Sequence, residues 1–295
     1  MPLSFPRGRC TSHQPGSRPT NVAVMTFSIV ARSEDGASWG VAVASKFLGV
    51  GSAVPAAVAS IGAIATQAYA NVSYKGEGLA LLDEGATAEV AVQRLIEDDP
   101  GRAQRQVGMV DSGGGSATYT GDDCMPWAGG RSGENYAIQG NILTGPEVVD
   151  AMERAFIAST GTLGARLHAA LAAGDEAGGD RRGRQSAAIL VVEEGAGYGG
   201  FDDVLIDLRV DDHADPVNEL GRLLDLHDLY GVATQSEARI PIDAELRSEL
   251  DQRARARGAG DFLAWVGTEN YEMRVAEDGT WIDERILGII REDPA

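Results

Sequence analysis

Residues 26–46, TFSIVARSEDGASWGVAVASK, are the stretch from which the predicted fold follows. Apolar side chains recur at every second position from Phe27 to Ala31, which indicates a strand with one buried face. Asp35-Gly36 is typical of a tight turn, and WGVAVASK beyond it has the composition of a returning strand. The stretch therefore predicts a β-hairpin whose first strand begins at its opening threonine.

Beyond this hairpin, the chain alternates between groups of strands and pairs of helices as far as residue 231. Apolar and β-branched runs predict strands at IGAIATQAYA (61–70), QVGMVD (106–111), SATYTG (116–121), NYAIQGN (135–141), QSAAILVVEE (185–194) and VLIDLRVDD (204–212). Helical spacing predicts helices in 76–98, with a break at 85–87, in 146–173, with a break at Gly161, and in 216–229. Hairpins and separate helix pairs together predict an α+β fold, a four-layer αββα sandwich with both sheets inside.

The chain divides into three regions by composition. Residues 1–24 are rich in Pro, Ser, Gly and Arg without an apolar period, and we expect a disordered tail or an extension from a start codon assigned too early. Residues 25–231 form the predicted α+β domain. Polar stretches and an Arg-rich helical segment then predict a small helical domain over residues 235–295.

The charge and hydropathy of the chain exclude several classes of partner. A net charge of −19 argues against nucleic acid and against an anionic membrane surface, because both attract clustered Lys and Arg. No apolar run approaches the roughly 20 residues that a membrane-spanning helix needs. The N-terminus lacks the apolar segment of a signal peptide, so we expect a cytoplasmic protein.

Thr26 is a candidate nucleophile because it follows Met25 directly. A threonine hydroxyl becomes reactive when the base is its own α-amino group, which requires Thr26 to be the first residue of the mature chain. That amine has an ordinary pKa of about 7.7 to 8.0, close to neutral pH. The alternative is that Thr26 is simply the first β-branched residue of a strand.

A second hypothesis places a divalent metal at the end of the last predicted strand. Asp211, Asp212 and His213 in DLRVDDHADP offer oxygen and nitrogen ligands, and Asp207 lies on the same strand face as Asp211. The alternative is a strand-end turn in which an aspartate caps the next helix. A third hypothesis is non-catalytic, namely a scaffold that only binds a ligand such as cell-wall peptide.

Seven motifs together resemble a bacterial family known as a domain of unknown function, DUF1028. They are TFSIVAR, GVAVASKF, GAIATQAYAN, PWAGGR, ENYAIQGNIL, GGDRRGRQSAAILVV and LRVDDH. The resemblance implies a fold of the N-terminal nucleophile (Ntn) hydrolases, the superfamily of the proteasome β-subunits. ENYEMRV and DGTWIDERILGIIRED resemble a peptidoglycan-binding module that often follows this family, which implies such a role for residues 235–295.

The resemblance implies catalytic roles for six residues. Thr26 would be the nucleophile, and the positive charge of Lys46 would lower the pKa of its amine and hydroxyl. The backbone N–H of Gln67 or Ala68 would form an oxyanion hole. The residues that would orient the Thr26 amine are Asp180 and Ser186. Each of these polar residues has an alternative role in strand-end or turn hydrogen bonds.

The substrate implied by the resemblance is an amide bond in a small molecule or a short peptide. Arg184 and Gln185 would bind a substrate carboxylate, since Arg offers a bidentate fork. Gln139 and Asn141 would line the pocket. The resemblance implies no organic cofactor, whereas the second hypothesis includes a divalent metal. We also expect a homo-oligomer, as sandwiches with outer helical faces often associate.

Overall fold

The computed structural model describes residues 26–292, so the prediction for residues 1–24 lies outside the described part. Its strands are β1 Thr26–Arg32, β2 Ser38–Ser45, β3 Pro55–Val58, β4 Gly62–Ala68, β5 Arg105–Asp111, β6 Ser116–Thr120, β7 Gly129–Gly133, β8 Tyr136–Asn141, β9 Ser186–Glu193, β10 Val204–Val210, β11 Arg239–Pro241 and β12 Trp281–Asp283. Its helices are α1 Val50–Ala53, α2 Ser73–Asp83, α3 Ala88–Glu97, α4 Glu147–Ala158, α5 Leu163–Glu176, α6 Pro216–Gly231, α7 Ala244–Ala256, α8 Phe262–Thr268 and α9 Glu284–Arg291. The predicted α+β class is confirmed.

The strands form two large antiparallel sheets and one small one. The six-stranded sheet has the order β10-β9-β2-β1-β8-β7, and the four-stranded sheet has the order β3-β4-β5-β6. Strands β11 and β12 pair separately near the C-terminus. The hairpin β1–β2 lies at the centre of the six-stranded sheet, so Thr26 begins a central strand.

Strand alternation divides the side chains of β1 between two cores. Phe27 and Ile29 pack with apolar residues of α4 and α5 on one face of the six-stranded sheet. Val30 faces the other way and packs with Ala63 and Ala65 of the four-stranded sheet. The outer face of the four-stranded sheet packs against α2 and α3 through a third cluster. Helices, sheet, sheet and helices therefore follow one another through residues 26–231.

Within residues 26–231, the elements that the sequence predicted are present, with three additions. The β1–β2 hairpin, the helix break at Gly161 and the β5–β6 hairpin are confirmed. The short elements α1 and β3 and the Gly-rich strand β7 were missed. Strand β7 has the sequence GGRSG, which lacks the β-branched and aromatic residues that mark a strand. Its antiparallel pairing with β8 holds this segment as a strand despite its low strand propensity.

The C-terminal region has its own core but is not purely helical. Leu250, Phe262, Trp265 and Ile286 are buried in a cluster that also takes in Leu229 at the end of α6. A buried ion pair links Arg274 to Asp283, whose carboxylate also accepts from the Thr234 hydroxyl. Since β11 and β12 also belong here, the prediction of a helical unit is corrected to helices with a two-stranded sheet. Three-residue strands are too short to show a period.

Within residues 26–292, no helix combines the length and the apolar composition needed to cross a membrane.

Candidate active site

Four polar side chains form one row across the six-stranded sheet. Thr26 pairs with Ser45 on one side and with Asn141 on the other, and Ser45 pairs in turn with Ser186. Alternation points all four towards the four-stranded sheet, the same side as Val30 and Val43. All four are buried, with at most 2% of any of them exposed. The end of the inter-sheet space next to Thr26 is therefore polar, whereas the part around Val30 and Val43 is apolar.

The hydroxyl of Thr26 lies within this row. Its Oγ1 donates to Ser45 Oγ at 3.2 Å. Ser186 turns its own hydroxyl to the chain that follows β2, where it donates to the Phe47 carbonyl at 2.5 Å and accepts from the Val50 N–H at 3.1 Å. Thr26 and Ser186 thus both lie beside Ser45, but Ser186 makes no hydrogen bond to Thr26 among the described residues.

A network of glutamines joins the two sheets beneath Thr26. Gln67 Nε2 lies 3.2 Å from the Thr26 carbonyl oxygen and 2.8 Å from Gln106 Oε1. Gln67 Oε1 accepts from the Ser28 hydroxyl at 2.6 Å, and that hydroxyl accepts from Gln139 Nε2 at 2.6 Å. All of these residues are fully buried. Buried amides with complete hydrogen bonding hold the two sheets in one fixed relation.

Gln106 is the centre of this network and was not among the predicted site residues. Its Oε1 also accepts from Asn141 Nδ2 at 3.0 Å, and its Nε2 donates to the Gly140 carbonyl at 2.8 Å. Ser28 was missed as well. Ser28 lies on the face of β1 opposite to the one that the alternation from Phe27 to Ala31 assigns to a core, and nothing local marks Gln106. Gln67, Gln139 and Asn141 were predicted as site residues, and the structure brings all three together.

Ala68 ends β4 with its backbone in the left-handed region, at φ +64°. Such a conformation is uncommon for a residue with a Cβ and concentrates at turns and functional sites. The Thr66 N–H donates to the Val54 carbonyl, on the β3 side of β4. The Tyr69 N–H donates to the Gln104 carbonyl, on the β5 side. Because donors alternate sides along an antiparallel strand, the Ala68 N–H points away from β5, beyond the end of β3.

Asp99 fixes the chain just after Ala68. Its carboxylate accepts from Arg105 Nε at 2.8 Å and from the Tyr74 hydroxyl at 2.9 Å. Arg105 in turn donates to the Tyr69 carbonyl at 2.6 Å. The Arg105 hydrogen bond is the largest cause that lowers the Asp99 pKa from 3.8 to about 2, and the Gly101 N–H and the Tyr74 hydroxyl act in the same direction.

Asp99→Asn is expected to lower the free energy of unfolding by about 2 kcal/mol at neutral pH, because the native state favours the ionised carboxylate. A lowered native pKa contributes stability above the unfolded pKa, and this contribution is lost as the pH falls from about 4 to about 2. Urea unfolding across this pH range should therefore show the difference between the two proteins shrinking. Asp98→Asn, an exposed neighbour, is the control; equal losses for both variants would contradict the assignment.

Lys46 and Asp180 meet through the backbone rather than at the Thr26 hydroxyl. Asp180 Oδ2 accepts from the Lys46 backbone N–H at 2.8 Å and pairs with Arg182 at 3.1 Å. The exposed Lys46 side chain donates from Nζ to the Arg184 carbonyl at 3.1 Å. No hydrogen bond joins Lys46 to Thr26 within residues 26–292. The electrostatic role of Lys46 and the orienting role of Asp180 stay predictions.

Both predicted substrate-binding residues just before β9 already have hydrogen-bond partners within the fold. Arg184 forms a bidentate pair with Asp175, at 2.9 Å from Nε and 2.8 Å from the terminal nitrogen. This pair raises the pKa of the Arg184 guanidinium. Gln185 Nε2 donates to Asp212 Oδ1 at 3.1 Å. A substrate carboxylate would have to compete with Asp175 for Arg184.

The structure does not bring the predicted metal ligands together. In residues 26–292, no three His, Cys, Asp or Glu side chains are grouped so that they could hold a metal ion. Asp212 accepts from Gln185, and His213 Nδ1 accepts from the Asp215 backbone N–H at 3.1 Å. Asp207 is paired with Arg209 at 2.7 Å. The strand-end turn is therefore the better description of this segment.

Comparisons with known proteins agree on one family. The model of a family of unknown function, DUF1028, matches residues 26–220. A crystal structure of a DUF1028 protein from Silicibacter pomeroyi is 31% identical and superposes with a TM-score of 0.63, covering 72% of this chain and 92% of its own. A search of curated proteins found no match. With two thirds of its length matched by the family model, the chain belongs to the DUF1028 family.

Proposed function

We propose that the protein hydrolyses an amide bond in a small molecule or short peptide, with Thr26 as an N-terminal nucleophile. The observation that carries this proposal is the position of Thr26. It is the first residue of a central strand, its hydroxyl lies 3.2 Å from Ser45 Oγ, and it stands at the polar end of the inter-sheet space. The succession of helices, sheet, sheet and helices supports an Ntn-type sandwich around it.

The reaction requires the peptide bond between Met25 and Thr26 to be cut first, which frees the Thr26 amine. Thr26 Oγ1 then attacks the substrate carbonyl carbon while the amine takes the hydroxyl proton. The C–N bond breaks, the leaving nitrogen receives that proton, and an ester on Thr26 remains. Water attacks the ester with the same amine as the base, which releases the acid and restores Thr26.

The developing negative charge needs a donor that is already in place. The Ala68 N–H is the best candidate, since it points away from β5 and Asp99 fixes the chain that follows it through Arg105. Gln67 then acts through its side chain instead of its backbone N–H, because the side-chain amide donates to the Thr26 carbonyl and holds the start of β1 in place. Loss of one such oxyanion donor costs roughly 2.7 to 4 kcal/mol of transition-state stabilisation in known enzymes.

The rate at which the protein is acylated by a β-lactone is expected to rise with pH and to level off near pH 8. The amine must be neutral to accept the Thr26 proton, and an N-terminal amine has a pKa of about 7.7 to 8.0. The test is the rate of adduct formation on the full chain, followed by intact mass across the pH range. Acylation that is as fast at about pH 5 as at about pH 9 would show that no amine of this kind is the base.

A further inference from the structure

The outer edge of β10 is one end of the six-stranded sheet. This strand pairs with β9 on one side and, among residues 26–292, with no strand on the other. An edge strand presents backbone N–H and C=O groups with which a further strand can pair. At the opposite edge, the Gly133 carbonyl of β7 accepts from the Ser116 hydroxyl of β6 at 2.6 Å, which ties that edge to the four-stranded sheet. Strand β10 is therefore the edge at which the sheet can be extended.

The two charged residues of β10 complement themselves in a symmetric pairing. Asp207 and Arg209 have 38% and 41% of their side chains exposed, and Arg209 Nε lies 2.7 Å from Asp207 Oδ1. If a second copy pairs antiparallel about a two-fold axis at Leu208, Asp207 of each copy lies opposite Arg209 of the other. Opposite residues have Cβ atoms about 5 Å apart, closer than the roughly 6.6 Å between alternate residues of one strand. The four charges then alternate in sign around a closed ring.

A shift of the axis by one residue removes this match. An axis at Asp207 places two carboxylates opposite each other, and an axis at Arg209 does the same with two guanidinium groups, which is unfavourable. The axis at Leu208 also brings the two half-buried Leu208 side chains together on the other face and places Ile206 opposite Val210. Charges on an edge strand usually prevent pairing. Here they prevent the neighbouring registers and favour this one.

Two aromatic side chains stand in solvent beside the same edge. Tyr198 and Phe201 are 98% and 94% exposed, in the connection between β9 and β10. The backbone of this connection is held in place, since the Gly195 N–H donates to Asp203 Oδ1 at 2.9 Å. Aromatic side chains presented to water by an ordered loop are typical of an interaction surface.

The two-fold axis at Leu208 brings these rings to the second copy. In that register, the β9–β10 connection of one copy runs beside residues 211–215 of the other, of which 211–214 are exposed. Since a Tyr or Phe side chain buries about 150 Å² or more, four rings add about 600 Å² to the area that the two strand edges bury. Together these contributions reach the roughly 1,000 Å² that a specific interface needs.

We infer that the protein forms a symmetric dimer in which the β10 edges of two copies pair about Leu208. The two six-stranded sheets then form one continuous sheet, and Tyr198 and Phe201 of each copy pack against the segment that follows β10 in the other. The inference does not depend on catalysis at Thr26, because β2 and β9 separate β1 from the paired edge.

The test is analytical ultracentrifugation of the full chain. We expect the mass of two chains, with a Kd for dissociation of about 1 μM or tighter. A protein that stays monomeric at about 100 μM would overturn the inference, and the charges of β10 would then serve to prevent edge pairing.

Charge reversals test the register. Asp207→Arg and Arg209→Asp each place like charges opposite each other, so each should weaken the dimer at least about a hundredfold. The double variant Asp207→Arg/Arg209→Asp restores opposite charges and should dimerise as the unchanged protein does. An equimolar mixture of the two single variants should form a mixed dimer, since every facing pair then has opposite signs. Dimers that withstand both single reversals, or a double variant that stays monomeric, would refute this interface.

The matched control is Asp150→Arg, which breaks an equally exposed ion pair with Arg131 near the opposite edge of the sheet. This variant should dimerise normally, and weakening equal to that of Asp207→Arg would show a general effect of charge and refute the site. Thr26→Val should also dimerise normally, which separates this result from the fate of the proposed hydrolase activity.

Replacement of both exposed rings tests the second part of the interface. The variant Tyr198→Ser/Phe201→Ser should fold normally, because both side chains are almost fully exposed in one copy. Its dimer should be at least about tenfold weaker, as expected for loss of aromatic contacts at an interface. An unchanged Kd for dissociation would refute the placement of these rings between the two copies.

Discussion

Thr26→Val is expected to abolish acylation of the protein and to lower amide hydrolysis about a thousandfold or more, as removal of a nucleophile does elsewhere. Valine keeps the shape and β-branching of threonine but lacks the hydroxyl that attacks the carbonyl carbon. Thr26→Ser keeps a hydroxyl on the same amine and should still be labelled. The measurement is the fraction of β-lactone adduct by intact mass, together with turnover of any amide that the unchanged protein hydrolyses.

The matched control for this variant is Thr66→Val in β4. Thr66 is also fully buried on a strand, and its hydroxyl donates to the Asn71 carbonyl at 3.3 Å, away from the polar row. The Thr66→Val variant should react with the β-lactone to the same extent as the unchanged protein. If Thr26→Val were labelled normally, or if Thr66→Val lost labelling to the same extent, the effect would not belong to the Thr26 hydroxyl.

Gln106→Leu is expected to lower the free energy of unfolding by about 3 kcal/mol or more. The change leaves the Gly140 carbonyl and the Asn141 amide buried without the partner that each has now. It also removes one acceptor of the Gln67 amide, which holds the Thr26 carbonyl. Leucine fits in place of glutamine, so the loss comes from unpaired polar groups rather than from a cavity.

Urea unfolding of the full chain measures this loss, with Gln93→Leu as the control. Gln93 is exposed on α3, and its side chain donates to Glu97 at 2.8 Å on the helix surface. Its replacement should change the free energy of unfolding by less than about 0.5 kcal/mol. A loss of under about 1 kcal/mol for Gln106→Leu would mean that the glutamine network contributes little to holding the sheets together.

The sequence predicted the secondary structure well where one face of an element is buried. The alternation from Phe27 to Ala31 assigned that face of β1 to a core, and the structure packs it against α4 and α5. Prediction failed where pairing, not composition, makes the strand, as in the Gly-rich β7. Neither β11 nor β12 is long enough to display a period of two.

The candidate site was only partly predictable because it depends on register between strands distant in sequence. Thr26, Ser45 and Ser186 lie in one row only because β1, β2 and β9 pair in one particular register. Nothing local in QVGMVD shows that Gln106 meets Gln67 and Asn141.

Peptide mapping by mass spectrometry, after treatment of the purified full-length protein with a β-lactone, shows directly whether Thr26 is an acylated N-terminal residue. We expect a chain that begins at Thr26, with the acyl group on this residue. A chain that keeps the peptide bond between Met25 and Thr26 and carries no adduct at Thr26 would contradict it, because the amine that serves as the base would then be part of an amide.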